Sequence, residues 1–177
     1  MHRQRGFTLP GLLITLSLTV LLATLSAPMF SDLAMQTRMD TATDRLHRAI
    51  RYTRNAAVAR GAPVVMQASG EGWRSGWTIF LDRNADGRYQ SSEHRLRAAN
   101  PLPESIVIAA NAGIGAALHY QADGGTRRPS GSLQMGTLLI CHTTATSALQ
   151  AGRSIIISVS GRARIERAEP STDGDDC

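Results

Sequence analysis

The feature that most constrains this chain is an N-terminal stretch without an ionisable side chain, which runs from Gly6 to Phe30. The 24 residues 7–30 would span about 36 Å as a helix, enough to cross a hydrocarbon core of about 30 Å. A secretory signal peptide has a shorter apolar region before a small-x-small cleavage site, and residues 23–27 offer only a weak version of that site. The sequence therefore predicts a retained membrane helix over residues 7–30.

A short basic leader precedes this segment and ends at Gly6, after which the chain continues with Phe7, Thr8 and Leu9. This arrangement resembles the class III signal of type IV pilins and type II secretion pseudopilins. In that family a prepilin peptidase cuts after the glycine, here Gly6, and methylates the new amino terminus, here Phe7. The resemblance implies a leader at 1–6, a helix at 7–30 that anchors the subunit in the inner membrane and later lines a filament core, and a periplasm-facing globular domain at 31–177.

Gly11 departs from the family pattern, which usually has a glutamate five residues into the mature chain. In the family that carboxylate is thought to neutralise the terminal amine of a neighbouring subunit, a buried pairing whose loss is costly. Two hypotheses remain open. The subunit caps a filament tip or has a low copy number, or the position has drifted in a subunit that tolerates the change.

Residues 31–60 keep a helical period, with one stripe of small and apolar side chains formed by Met39, Ala42, Leu46, Ile50, Thr53 and Ala57. Gly61 and Pro63 then form a stop signal. We predict one helix from the membrane to about Arg60, broken or bent near Pro28. Four arginines fall outside the stripe and are interpreted as a solvated helix face, with filament contacts as the alternative: Arg45, Arg48, Arg51 and Arg54.

Residues 63–177 are β-rich. Eight runs are typical of strands: 64–69, 76–82, 94–99, 105–110, 118–123, 136–142, 154–160 and 162–168. The predicted loops are 69–76, 83–92, 124–132 and 143–152. Many short strands after one helix predict an α+β fold of the type IV pilin kind, with a long N-terminal helix packed on an antiparallel β-sheet domain.

Cys141 and Cys177 are the only cysteines. A domain that crosses the inner membrane meets an oxidising compartment, so the leading hypothesis is a disulfide between them. A metal site has less support because further Cys or His ligands are lacking at useful spacing.

Further features narrow the resemblance to the GspH/FimT family of pseudopilins and minor pilins. They are Trp73 and Trp77 before an Asn/Asp/Gly loop, the "LLIC" run at 138–141, the "SIIISVSGRAR" run at 154–164 and the terminal Cys177. Their order along the chain carries the resemblance.

The twelve residues 82–93 fit the calcium-loop pattern at every defined position. The predicted ligands are Asp82, Asn84, Asp86, the Arg88 carbonyl and Glu93, with Gly87 at the turn. The alternative is a long hairpin loop, because the flanks are strands, Arg83 and Arg88 add positive charge, and Asn, Asp and Gly suit such a loop.

Catalysis has little support. The histidines beyond the leader, His47, His94, His119 and His142, are scattered without a recognised catalytic motif. We predict that the protein is not an enzyme and carries no cofactor apart from the calcium considered above.

The run Gly161-Arg162-Ala163-Arg164 combines a turn glycine with alternating arginines. In a strand, Arg162, Arg164 and Glu166 share one face, so two guanidiniums project together and each is able to bind a phosphate through paired N–H donors. All 19 basic residues are arginine, and the formal charge is +5. Without the resemblance this run is typical of a solvated strand.

In the GspH/FimT family, a Gly-Arg-x-Arg motif near the C-terminus is associated with minor pilins that bind DNA during natural transformation. The match implies phosphate contacts by Arg162 and Arg164 next to Gly161. Four arginines extend the patch if folding brings them near: Arg167, Arg153, Arg127 and Arg128. The acidic tail at residues 173–176 opposes DNA binding, because its carboxylates would shield the arginine patch.

Two functional hypotheses follow. The first is a minor type IV pilin that binds double-stranded DNA non-specifically for uptake and takes part in pilus biogenesis. The alternative is a structural minor pseudopilin of a type II secretion system without DNA binding. Both imply other pilins, the prepilin peptidase and the inner membrane as partners, with assembly into a pilus or pseudopilus.

Overall fold

The computed structural model describes residues 8–143 and 149–168 of the 177-residue chain. The chain divides into two compact units, Met1–Thr37 and Arg38–Cys177, and a single helix, α1 (Leu9–Arg60), contributes to both. Gly6, Phe7, Cys177 and the acidic residues 173–176 lie outside the described residues. The predicted processing site therefore stays a prediction.

In the first unit, α1 begins at Leu9 and continues through Pro28 without a break, so of the two predicted alternatives a break is wrong and a bend stays a prediction. The apolar side chains that are described along its first turns are exposed, among them Leu9, Leu12, Leu13, Ile14 and Leu16. Within the ranges that the structure describes, no helix combines the length and apolar character needed to cross a membrane.

In the second unit, the remainder of α1 buries the stripe that the sequence predicted. Its members are all at most 5% exposed: Met39, Ala42, Leu46, Ile50, Thr53 and Ala57. The helix ends at Arg60 because Gly61 takes a φ of 59°, and its N–H bonds to the Val58 carbonyl at 3.3 Å. The predicted stop at Gly61 is confirmed.

Among the described residues, eight strands follow α1: β1 (Val64–Ser69), β2 (Gly72–Leu81), β3 (Arg95–Ala99), β4 (Ile106–Ala110), β5 (Ala117–Tyr120), β6 (Gly136–Thr143), β7 (Leu149–Ile157) and β8 (Ala163–Arg167). They form two four-stranded sheets, with the orders β3-β2-β1-β5 and β4-β6-β7-β8. Every neighbouring pair is antiparallel. The predicted α+β fold is confirmed.

Two predicted loops are partly wrong. Residues 72–76 belong to β2, and Trp73 is buried there with its indole N–H donating to the Gly115 carbonyl at 2.8 Å. The glycines at 70 and 72 mark a tight hairpin turn rather than a loop that continues to Gly76. Similarly, β7 begins at Leu149, while residues 144–148 lie outside the described residues.

The core combines the α1 stripe with inward side chains of both sheets, including Met66, Trp77 and Tyr120 from the first and Ile140 and Ile155 from the second. Cys141 is buried in β6 and is not a free thiol. Its predicted partner, Cys177, lies outside the described residues, so the disulfide stays a prediction.

Candidate nucleic-acid interface

The hairpin that joins β7 to β8 turns at Ser158–Gly161. The Gly161 N–H donates to the Ser158 carbonyl at 2.8 Å, and the Ser158 N–H donates to the Arg162 carbonyl at 3.0 Å. Gly161 has a φ of 75°, a left-handed conformation in which side chains other than glycine are strained. A Cβ at this position would also lie far inside van der Waals contact with the Gly124 carbonyl oxygen. The turn therefore requires glycine for two separate reasons.

Two buried or half-buried side chains hold this turn. The Tyr120 hydroxyl donates to the Gly161 carbonyl at 3.0 Å. From α1, Arg54 donates through Nε to the Gly124 carbonyl at 3.1 Å and through Nη2 to the Ser160 carbonyl at 3.0 Å. Burial raises the pKa of Tyr120 far above its usual value, so the phenol remains a donor throughout the working pH range. Arg162 therefore extends from a turn fixed to α1 and β5.

A groove of about 260 Å³ lies between the second half of α1 and this turn. Its polar wall is basic, because Arg51 and Arg54 of α1 face it together with Arg162, and His47 adds an imidazole. Arg51 and Arg162 are exposed. Within residues 8–143 and 149–168, neither guanidinium has a hydrogen-bond or ion-pair partner. The groove thus presents two uncommitted guanidiniums to solvent.

Arg164 lies two residues further, in β8, and is exposed. Its Nε forms an ion pair with Glu166 at 2.9 Å, which agrees with the prediction that these two side chains share a face. Both side chains are about half exposed, so this ion pair is weak and open to exchange. Arg167 is exposed at the end of the same strand.

The other predicted arginines lie apart from the groove or are already engaged. Arg153 in β7 pairs with Asp40 of α1 at 2.9 Å. Arg128 donates from Nη2 to the Ala112 and Gly113 carbonyls. Arg127 lines a separate cavity of about 190 Å³, together with Asp82 and His119. Burial lowers the pKa of that histidine, so at neutral pH it adds no charge.

Arg51 and Arg54 line the groove, although the sequence indicated a solvated helix face for both, with filament contacts as the alternative. Their spacing of three residues indicated a shared helix face, but no local pattern shows which strand turn packs beside that face. The predicted calcium ligands lie elsewhere, in the loop that joins β2 to β3 in the other sheet.

The groove suits a polyanion in chemical terms. Guanidinium groups bind phosphate oxygens through paired N–H donors, and contacts of this kind do not depend on base sequence. A fixed turn also lowers the entropy lost when Arg162 is ordered by a ligand.

Comparison with known proteins identifies a matching family and solved structures with a similar fold. A family model described as "Type II transport protein GspH" matches residues 42–161. No curated protein sequence matches the chain significantly.

Among solved structures, the type IV minor pilin FimU of Pseudomonas aeruginosa matches with a TM-score of 0.56 and 21% identity, over 73% of this chain and 89% of that chain. The solution structure of Escherichia coli GspH matches with a TM-score of 0.52 and 17% identity, over 78% and 94% of the two chains. At such identities the likeness concerns the fold alone.

Proposed function

The chain belongs to the GspH family, and from this premise we propose that it is a minor pilin that binds double-stranded DNA non-specifically for uptake in natural transformation. Its family and fold are those of minor pilins and pseudopilins, which are structural filament subunits. Pilus association follows from the family. DNA binding is the proposed addition.

The observation that carries the proposal is the basic groove. Arg162 lies on a turn held by Tyr120 and Arg54, opposite Arg51 of α1, and no acidic side chain lines the groove among the described residues. A phosphate backbone that crosses this groove would meet Arg51 and Arg162 first. It would then reach Arg164, which lies on the same face of strand β8 as Arg162, whereas Arg167 lies on the opposite face.

The proposal is tested by a gel shift with the full-length chain in non-ionic detergent and double-stranded DNA of unrelated sequences at low salt. We expect the wild-type chain to shift each DNA equally, because phosphate contacts carry no sequence information. We expect the double variant Arg162→Gln/Arg164→Gln to lose the shift.

The matched control is Arg74→Gln/Arg95→Gln, which removes the same charge from two exposed arginines of β2 and β3. It should bind DNA like the wild type. Retained binding in the Arg162/Arg164 variant, or equal loss in the control, would contradict a specific interface at the groove.

A structural pseudopilin of a type II secretion system without DNA binding is the second candidate function. Two observations favour it: the family description names type II transport, and Glu166 already pairs with Arg164. This function predicts no shift at any salt concentration, together with loss of secretion on deletion of the subunit.

We also propose that residues 1–6 are a leader removed by a prepilin peptidase and that residues 7–30 anchor the subunit in the inner membrane before assembly. The uncharged sequence and the exposed apolar side chains of α1 support this proposal. Mass spectrometry of the membrane fraction should find a chain that begins at methylated Phe7. An intact Met1 terminus in the assembled subunit would contradict it.

Two further proposals concern the oxidised, assembled state. A disulfide between Cys141 and Cys177 would tie the C-terminus to β6, and a mass shift on reduction would detect it.

Gly11 in place of the usual glutamate favours a position at the filament tip, since a tip subunit has no need to neutralise the amine of a further subunit. Gold labelling of the subunit along isolated filaments distinguishes tip from shaft.

A further inference from the structure

The loop between β2 and β3 folds as a closed twelve-residue turn. Its base is fixed by the Leu81 N–H, which donates to the His94 carbonyl at 3.0 Å and so brackets Asp82–Glu93. Inside the loop, the Gly87 N–H donates to Asp82 Oδ2 at 3.0 Å and the Arg88 N–H donates to Asp86 Oδ1 at 2.8 Å. The backbone therefore wraps around the side-chain oxygens of the loop.

Two carboxylate oxygens at the ends of this loop are buried without a hydrogen-bond partner. Asp82 is 3% exposed, and its Oδ1 is buried without a hydrogen bond, although Oδ2 of the same carboxylate faces the loop through Gly87. At the other end, Glu93 Oε2 accepts from the Gln90 N–H at 3.1 Å while Oε1 is buried and unpaired. A buried carboxylate oxygen without a partner is costly, and a bound water or cation would relieve that cost.

We propose that this loop binds Ca²⁺. Asp82 and Glu93 supply the two unpaired oxygens, Asn84 and Asp86 supply side-chain oxygens, and Arg88 supplies its carbonyl. With Glu93 bidentate, the set reaches about six oxygens, the lower end of the range that calcium takes. Mg²⁺ suits the loop less well, because it requires nearly ideal octahedral geometry and retains its waters.

Binding requires the loop side chains to rearrange. Within the described residues, no three His, Cys, Asp or Glu side chains are already arranged around a metal. The oxygens of Asp86 instead accept hydrogen bonds from Asn84, Arg88 and Gln90. Asn84, Asp86 and Gln90 are all exposed, so Asp86 exchanges a hydrogen bond for the cation without disturbing the core.

Net charge favours the cation only modestly. The loop carries three carboxylates, those of Asp82, Asp86 and Glu93, and two exposed guanidiniums, those of Arg83 and Arg88. We therefore expect a dissociation constant of about 10⁻⁴ to 10⁻³ M, the range of extracellular calcium modules. Such an affinity suits a domain that faces millimolar calcium outside the cytoplasm.

Calcium would also fix the loop to the sheet. The Tyr89 N–H donates to Gln67 Oε1 of β1 at 2.9 Å, and the Tyr89 ring meets Phe80 edge-on with ring centroids 5.3 Å apart. Because Arg88 precedes Tyr89 directly, cation binding would strengthen the contacts of the loop with β1 and β2.

The test uses the full-length chain in non-ionic detergent, first stripped with EDTA. Calorimetry with CaCl₂ should give a dissociation constant in the expected range. At about ten times that constant, the melting temperature should rise by about 3–5 °C. Equal concentrations of MgCl₂ should give a smaller rise.

Three variants decide the location. Glu93→Gln should weaken calcium binding by at least about tenfold, and exposed Asp86→Asn should weaken it without affecting folding. Glu104→Gln, a matched change at an exposed residue before β4, should bind like the wild type. The proposal is overturned if calcium neither releases heat nor shifts the melting temperature, or if Asp86→Asn binds calcium as the wild type does. DNA binding should persist in every variant, so a failure of the calcium proposal can be distinguished from a failure of the DNA-binding proposal.

Discussion

Gly161 is the residue on which the groove depends most. Its φ of 75° and the close approach of the Gly124 carbonyl oxygen are separate obstacles to any side chain. Gly131 offers the matched comparison, because it has a φ of 84° but no atom within 4 Å of the place that a Cβ would take.

We expect Gly131→Ala to lower the free energy of unfolding by about 1 kcal/mol, the cost of a left-handed conformation. Gly161→Ala should cost about 3 kcal/mol, because the turn must also move away from Gly124. Urea denaturation measures both. Equal losses would mean that the close approach to Gly124 contributes nothing.

At the scale of the element, α1 contributes two neighbouring arginines with different tasks. Arg54 donates to two carbonyls of the groove, whereas Arg51 is exposed without a partner among the described residues. The first is a structural contact, and the second is available to a ligand.

We therefore expect Arg51→Gln to weaken DNA binding by about tenfold while leaving the melting temperature nearly unchanged. Arg54→Gln should lower the free energy of unfolding by about 1–3 kcal/mol, because it leaves the Gly124 and Ser160 carbonyls short of donors. Gel shifts and thermal melts on both variants separate the two roles. The same effect on binding and stability in both variants would contradict this division.

The elements themselves were largely predictable from sequence. The α1 stripe from Met39 to Ala57 was identified by its helical period, and all eight strands were predicted, although β7 begins earlier than predicted, at Leu149, and ends at Ile157 before the turn. Trp73 was assigned to a loop because the nearby glycines are typical of loops, whereas burial of its indole extends β2. The glycines that indicate a turn are close to Trp73 in sequence. The burial of the Trp73 indole instead depends on a hydrogen bond to Gly115, 42 positions away.

The groove was predictable only in part. Gly161, Arg162 and Arg164 stand out because they are close in sequence. Arg51 and Arg54 join them only through packing of α1 against the β7–β8 turn. The ion pair between Arg153 of β7 and Asp40 likewise depends on the packing of α1 against the sheet. Contacts between residues about a hundred positions apart leave no local trace in a single sequence.

At the scale of the whole molecule, the proposed DNA binding is an electrostatic event on a chain of net charge +5. Each phosphate contact releases counterions and makes affinity fall as salt rises. Each of the single variants Arg162→Gln and Arg164→Gln should therefore show a slope of log affinity against log salt that is less steep by about 0.9. Titration by fluorescence anisotropy at several salt concentrations measures it. An unchanged slope in both variants would mean that neither guanidinium contacts a phosphate.

Strand β8 pairs on one side only within the described residues, with β7, and so leaves a backbone edge open. Open strand edges can recruit strands of other molecules and lead to aggregation, and charged side chains on the edge discourage such recruitment. Arg164, Glu166 and Arg167 supply those charges. The same arginines that suit a phosphate backbone thus discourage edge-to-edge pairing of β8, and apolar replacements there would favour aggregation of the globular unit.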